Sequence, residues 1–356
     1  MSQNPPLPSP ETVASALLVD RLGRRAARAA IAEQGSARSA LAHTNPGGRL
    51  AARVAAARLG DDCRRRGISL MGPADDWFPE SLRCIPDAPL ALYGRGNLAL
   101  VQATGVAIVG ARRASRYGIE LAERLAAELT RAGAVVISGL ALGVDAAAHR
   151  GALAAGGRTA AVLGSGLDRL APLANAPLAR DVLAGDGLLV SEYAPEVTAA
   201  PYRFPERNRL IAGLGVGVVV IEASEKSGSL ITARIAAEQG REVMAVPGAP
   251  GLPNSRGANA LIKAGAALVE SAEDVLIALG RELPGFVLPE GPTSAALTAE
   301  LAAVLDRLDG RAQSLEALVE STGLDAQDCA VALTELELGG FVQRVTDGYI
   351  RRPSRY

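Results

Sequence analysis

The segment Phe204-Pro205-Glu206-Arg207-Asn208-Arg209-Leu210-Ile211-Ala212-Gly213, with Arg203 just before it, gathers guanidinium groups, an amide and an aromatic ring. That combination suits a single-stranded nucleic acid, with guanidinium for phosphate and a ring for base stacking. At least one of Arg203, Arg207 and Arg209 is expected to be structural instead, paired with a core carboxylate such as Glu192 or Glu222.

Four short loops add chemistry of a related kind. Gly110-Ala111-Arg112-Arg113-Ala114-Ser115 stands between an apolar run and a helix expected to start near Tyr117. Free N–H groups at that helix start, its dipole and two arginines make an anion site. The loop lacks both GxGxxG and a GK[ST] ending, so it is neither a dinucleotide fingerprint nor a P-loop. Ser138-Gly139-Leu140-Ala141-Leu142-Gly143-Val144-Asp145 repeats the design: Gly139 and Gly143 allow close backbone approach, and Asp145 can cap the helix carrying His149. Gly164-Ser165-Gly166-Leu167-Asp168 follows another apolar run. Ser227-Gly228-Ser229-Leu230-Ile231-Thr232 opens a helix and offers hydroxyls and N–H groups. Four such loops at one sheet edge are more specific than any one alone.

Catalytic groups are sparse. His43 and His149 are the only histidines, and Cys63, Cys84 and Cys329 lack CxxC spacing, so no metal site is expected. His149 reads as a packing residue on a helix face, because no nucleophile is placed with it. No Ser/His/Asp set sits on a nucleophile elbow. Glu192 and Glu222 both end apolar runs, but nothing in the spacing makes them an acid–base pair. The loops are suited to holding phosphates rather than to reacting with them.

The elements that must position these loops are unalternating apolar runs: VAIVG from Val106, AVVIS from Ala134, TAAVL from Thr159, LLVSEY from Leu188, VGVVVI from Val216 and VMAVPG from Val243. Runs of this kind read as strands buried on both faces of a parallel sheet. The helical stretches between them have the length of right-handed crossovers. The expected fold is α/β: an extended Rossmann-like, doubly wound, mostly parallel sheet with ligands beyond the carboxyl ends of its strands.

Around this core, residues 1–10 are rich in proline and serine and are expected to be a disordered tail. Residues 11–67 read as an N-terminal helical domain of roughly three helices. The α/β domain is assigned to 68–279, where the segment 68–101 extends the sheet and Trp77, Phe78 and Leu82 are packing residues. A Pro/Gly-rich linker covers 280–295. Residues 296–356 give helix, helix, helix and a short β-wing, the order of a winged helix. Its third helix carries Asp325, Asp328, Glu335 and Glu337 and no Lys or Arg, which disfavours phosphate and suits a protein-binding or packing module. The ends of the chain differ in sign. Arg21 to Arg66 contains eleven arginines and three acids, whereas Glu300 to Asp347 contains ten acids and three arginines. The basic helices could touch a nucleic-acid backbone or present a solvated arginine face. With 49% hydrophobic residues, no apolar run long enough for a membrane span and no signal-peptide pattern, a cytoplasmic protein is expected. Lys226 and Lys263 are the only lysines, a bias that a GC-rich genome explains.

VGARRASRYG, SGLALGVDAAAHRGAL, AAVLGSGLD, SEYAP, FPERNRLIAGL, SGSLITARIAAEQGREVMAVPG and GANALIKAGA resemble, in order and spacing, the DNA-processing protein A family (DprA or Smf). The resemblance is strong over 105–275 and weaker to either side. It implies a non-catalytic protein without cofactor that binds single-stranded DNA, acts as a homodimer through the α/β domain, and assists loading of the RecA recombinase in natural transformation. By motif position, Arg112 and Ser115 would contact phosphate, with Gly110, Arg113 and Gly139 in the same loops. Phe204 and Asn208 would contact a base or the strand, with Arg207 and Arg209 in or beside that pocket. Gly164, Ser165 and Gly166 would line its floor, and Ser227, Gly228 and Ser229 would offer further anion contacts. The chain departs from the family at Leu170-Ala171-Pro172-Leu173, before Asn175, where a Tyr-Pro and a basic residue are usual. By the resemblance, one phosphate contact is there either lost or moved to Arg169 or Arg203. The helix-hairpin-helix signature of the N-terminal domain is also indistinct. The competing readings are a nucleoside-monophosphate phosphoribohydrolase, whose PGGxGTxxE block is not matched by SGSLITARIAAE, and an adaptor acting through the acidic winged helix.

Overall fold

The computed structural model describes residues 7–45, 47–280, 298–308, 312–338, 341–345 and 348–351. Residues 1–6 of the expected tail and 281–295 of the expected linker lie outside the described residues. The chain divides into two compact units, 1–288 and 289–356.

The first unit opens with four helices, α1 (Pro10–Leu22), α2 (Arg24–Gln34), α3 (Ala37–Thr44) and α4 (Gly48–Arg65). The sequence suggested roughly three, because only Gly23 separates α1 from α2. At φ +79° that glycine closes one helix and opens the next. The expected tail is also shorter than 1–10: the Ser9 hydroxyl caps α1 and Pro10 occupies its first turn. These helices do not stand apart as a unit of their own. Asp75 accepts hydrogen bonds from the Ser9 N–H (2.7 Å) and the Thr12 hydroxyl (2.9 Å), tying α1 to the loop after the first strand.

Nine strands follow: β1 (Ser69–Met71), β2 (Leu92–Gly96), β3 (Gly105–Val109), β4 (Val135–Ser138), β5 (Thr159–Leu163), β6 (Leu188–Ser191), β7 (Gly215–Val220), β8 (Glu242–Ala245) and β9 (Ala267–Leu268). They form one sheet in the order β1-β2-β6-β5-β4-β3-β7-β8-β9. Strands β3 to β9 pair in parallel, and β2 and β1 extend the edge beyond β6 in antiparallel fashion. From β3 the chain winds through α6 (Arg116–Arg131), α7 (Val144–Ala154) and α8 (Ala176–Ala184) to β6. It then crosses by α9 (Arg203–Leu214) to β7, on the other side of β3, and winds outward through α10 (Gly228–Glu238) and α11 (Arg256–Lys263) to β9. The direction of winding therefore reverses between β3 and β7, where doubly wound sheets hold their ligands.

Every residue of β3 to β6 is buried, as the unalternating runs predicted. One apolar cluster packs against the sheet face that carries α9 and α10, and another against the face that carries α6, α7 and α12 (Ala272–Ala278). Phe78 and Leu82, the latter on α5 (Glu80–Arg83), are fully buried against the inner side of α9, and Trp77 packs at their margin. Contact is close there, since a Cβ at Gly213 would stand 2.8 Å from a Leu82 methyl.

His149 lies fully buried on α7. The Thr159 hydroxyl donates to the Val136 carbonyl (2.6 Å), so it accepts from the His149 Nδ1–H (2.7 Å), which fixes the ring tautomer. Burial first, and then the nearby Arg207 guanidinium, hold the imidazole down to about 3. The ring is thus neutral near pH 7 and acts in packing rather than as a base.

The second unit contains α13 (Ala299–Arg307), α14 (Leu315–Thr322), α15 (Ala326–Leu338) and the hairpin β10 (Val342–Val345) and β11 (Gly348–Arg351). Val304, Leu318, Cys329, Leu333 and Val342 form its core. The outward side of α15 carries Asp328, Glu335 and Glu337, and Asp325 caps the helix by accepting the Asp328 N–H at 2.8 Å.

His149 also makes stability depend on pH. Its folded-state affinity for protons is depressed, so the unfolded chain binds more protons between pH 6.5 and about 3. Its contribution is therefore complete above pH 6.5 and is lost progressively as pH falls through that window. His149→Gln is expected to flatten the acid side of a Tm-versus-pH profile measured by calorimetry. An unchanged slope between pH 6 and about 4 would contradict the assignment.

Candidate functional site

A cavity of about 640 Å³ opens beyond the carboxyl ends of β3 and β7, at the reversal point of the sheet. Three chain segments supply most of its lining. The loop after β3 supplies Gly110, Arg112 and Arg113; the start of α9 supplies Phe204, Arg207 and Asn208; the start of α10 supplies Ser227, Gly228 and Ser229. Seven side chains singled out from sequence thus converge with two glycines on one opening, from stretches that together span more than a hundred residues of chain.

Arg112 and Arg113 are exposed, and among the described residues neither has an ion-pair partner. The Arg112 guanidinium lies 5.1 Å from the centre of the Phe204 ring, a cation–π contact that holds both at the rim. Behind the ring, a Cβ at Gly164 would come within 2.8 Å of it, so this glycine is what lets Phe204 sit down. One turn further along α9, the Asn208 amide reaches the Gly228 carbonyl at 3.4 Å. At the start of α10 the Ser227 and Ser229 hydroxyls share a hydrogen bond of 2.7 Å, and the Ser227 oxygen accepts the Ser229 N–H.

The helix starts differ in a way the sequence did not show. At α6, Ser115 is exposed but its hydroxyl is committed: it accepts the Gly118 N–H at 3.0 Å and donates to the Glu222 carboxylate. Glu222 also accepts the Ser115 N–H at 2.9 Å and the Asn254 amide at 3.2 Å. The anion expected at this helix start is thus the protein's own carboxylate, and Ser115 does not line the cavity. Gly118 is required there, since a Cβ would stand 2.6 Å from the carboxylate carbon. The start of α10, by contrast, is left to the cavity.

Arg207 and Arg209 are structural rather than open contacts. Arg207 is 4% exposed and donates to the carbonyls of Gly139 (2.8 Å), just past the end of β4, and of Val162, next to the last residue of β5. Burial lowers its guanidinium to about 10, against the opposing pull of Asp145. It forms the cavity floor, and the space it fills is the space a side chain at Gly139 would need. Asp145 sits beside it, accepting the Gly139 and Ala141 N–H groups. Its burial pushes the carboxyl up while Arg207 and these donors oppose the shift. Arg209 is buried against Glu192, one of the carboxylates named as a candidate (2.7 and 2.8 Å), and also bonds Asp87 at 3.1 Å.

The remaining sequence candidates lie away from the opening. Asn175 is buried, its amide donating to the Leu140 and Ala141 carbonyls, because its loop folds under the one after β4. Ser165 is buried and Gly166 packs against the Ala194 and Pro195 carbonyls, so these two support the loop rather than face a ligand. Arg203 turns to the other side of α9, where its guanidinium lies over Tyr193 and Tyr202. Asn254 was missed. Its amide ties the Arg113 carbonyl (3.0 Å) to Glu222 and lines the cavity. The signal was available, because its loop follows VMAVPG just as the other site loops follow their apolar runs.

The family model described as DNA recombination-mediator protein A matches residues 69–280, and that of the DprA winged helix domain matches residues 289–348. The chain is 39% identical to Protein Smf of Escherichia coli over 287 residues, covering 78% of this chain and 76% of that protein. It is similar to the X-ray structure of DNA processing protein A from Streptococcus pneumoniae, with 36% identity and a TM-score of 0.58 over 75% of this chain and 93% of that one. It is also similar to DNA processing protein A from Helicobacter pylori, with 30% identity and a TM-score of 0.54 over 60% of this chain and 96% of that one. The latter structure concerns a single-stranded DNA binding mode.

The two kinds of arginine are separable by stability. Arg209→Ala leaves Glu192 buried without its main partner and is expected to lower the unfolding free energy by about 3–5 kcal/mol. Arg112→Ala, at an exposed position, is expected to change it by no more than about 0.5 kcal/mol. Urea titrations followed by circular dichroism decide this, and equal effects would refute the division.

Proposed function

The chain belongs to the DNA recombination-mediator protein A family (DprA/Smf), and on that premise we propose that it binds single-stranded DNA in the cavity between β3 and β7. The observation that carries this reading is the placement of Phe204 and Arg112 in contact at the rim, with Arg113 and the start of α10 beside them. A ring next to unpaired guanidiniums offers a stacking face and phosphate contacts without selecting a base sequence. The single-stranded DNA binding mode of the Helicobacter pylori relative supports single-stranded DNA as the ligand.

In this reading Arg112 and Arg113 take phosphates, Phe204 stacks a base, Asn208 reaches the base edge or the sugar, and Ser227 to Ser229 receive a further phosphate. Arg207, Gly139 and Gly164 shape the floor. The action is non-catalytic: Asp145, the carboxylate that lines the cavity, is tied to backbone N–H groups and Arg207 rather than presented to a substrate. The finer parts of the proposal are that the protein works as a homodimer through its α/β domain and passes the strand to RecA in natural transformation. Leu268 on the edge strand β9 and Ile277 on α12, both at least half exposed, are in keeping with a self-interface at that edge. The acidic face of α15 favours a protein partner over DNA for the second unit. No described helix is long and apolar enough to cross a membrane.

Fluorescence anisotropy with labelled single-stranded and duplex DNA at two salt concentrations tests the site. Wild type is expected to prefer the single strand, with affinity falling steeply as salt rises. Arg112→Ala is expected to bind more weakly and to lower the slope of log K against log salt by about 0.7, the value for one lost phosphate contact on a single strand. If Arg112→Ala binds as tightly as wild type with the same slope, the site is elsewhere.

A further inference from the structure

A second cavity, of about 690 Å³, lies on the opposite side of the start of α9. The two cavities share one short stretch of chain. Pro201 and Phe204 line the first, while Tyr202 and Arg203, between them in sequence, line the second. A strand stacked on Phe204 therefore has only the width of this helix start to cross before reaching the second opening.

The chemistry of the second cavity is aromatic with nearly balanced charge. The Arg203 guanidinium carbon is 5.1 Å from the Tyr193 ring centre and 5.4 Å from the Tyr202 ring centre, so one cation lies against two rings. Tyr193 is fixed by its hydroxyl, which donates to Glu206 at 2.9 Å. Tyr202 is 60% exposed, leaving ring surface open to the solvent. On the facing wall, Arg24 is committed to Glu192 (3.2 Å) and Asp87 (3.3 Å). Its neighbour Arg25 is exposed and has no ion-pair partner among the described residues. The balance suits a planar base with a single phosphate better than it suits a run of phosphates.

Building on the single-strand reading of the first cavity, we propose that this second cavity receives the next nucleotides of the same strand. One base stacks on Tyr202, which Arg203 supports from behind, and its phosphate meets Arg25. The N-terminal helices then take part in binding through one residue of α2 rather than through their general basic charge. Much of that charge is already used internally, as Arg24 and Arg28 pair with Asp87, and Arg66 with Asp62, Asp168 and Glu196.

The test compares labelled oligothymidylates of about 4 and about 16 nucleotides, short enough for one cavity and long enough for both. Tyr202→Ala is expected to weaken binding of the longer strand about tenfold, within the range for one lost stacking contact, and to leave the shorter unchanged. Tyr202→Phe keeps the ring and is expected to restore wild-type affinity. Arg25→Ala is expected to lower the salt slope for the longer strand alone. Wild-type affinity of Tyr202→Ala for both lengths, or an equal loss for both, overturns the proposal. Failure of the first-cavity reading is scored separately, on the short strand with Arg112→Ala.

Discussion

The buried guanidinium of Arg207 is the contact on which the site geometry depends. It reaches the Gly139 carbonyl just past β4 and the Val162 carbonyl near the end of β5, and so fixes α9 over the sheet at a set height and rotation. The Gly139 carbonyl lies beyond the ladder of β4, and a fully buried cation lacks water, so each satisfies a need of the other. Arg209, two residues on, secures the same helix from the side through Glu192 and Asp87. With the helix locked at both points, Phe204 and Asn208 fall on the side that faces the cavity. Gly139 and Gly164 follow from this placement, because a side chain at either would displace the Arg207 guanidinium or the Phe204 ring.

The second organising feature is the reversal of winding at β3. It leaves the loops after β3 and β7 diverging, and the gap between them is the cavity. Glu222, at the end of β7, bridges that divergence by reaching the start of α6, while Asn254 joins the loop after β8 to both. Arg112 and Arg113 can remain unpaired because the loop that carries them is held by its backbone and by Ser115, not by their own side chains.

The parallel strands were legible because a strand covered on both faces has no room for polar residues, and its sequence shows this directly. The helix over 203–214 was not assigned from sequence, since arginines and a proline interrupt the apolar pattern expected of a buried helix. Those arginines are buried by pairing with groups that lie 17 to 122 residues away, which periodicity cannot reveal. The same blindness to distant partners explains why Arg207, Arg209, Asn175 and Ser115 resembled Arg112 on paper. Residue type named the right chemistry at all of them, but partners decide whether that chemistry is directed inward or outward. Ser115 and Glu222, 107 residues apart, are the plainest case.

The carboxylate seated at the start of α6 also bears on time. With that helix end already occupied, a strand bound as proposed meets the loop after β3 through two solvated side chains, whose single contacts in water amount to about 1 kcal/mol each. Contacts of that size break one by one on fast timescales. A strand held in this way does not have to leave all at once. It can be peeled from one end, each freed nucleotide becoming available to a competitor while the rest stays bound.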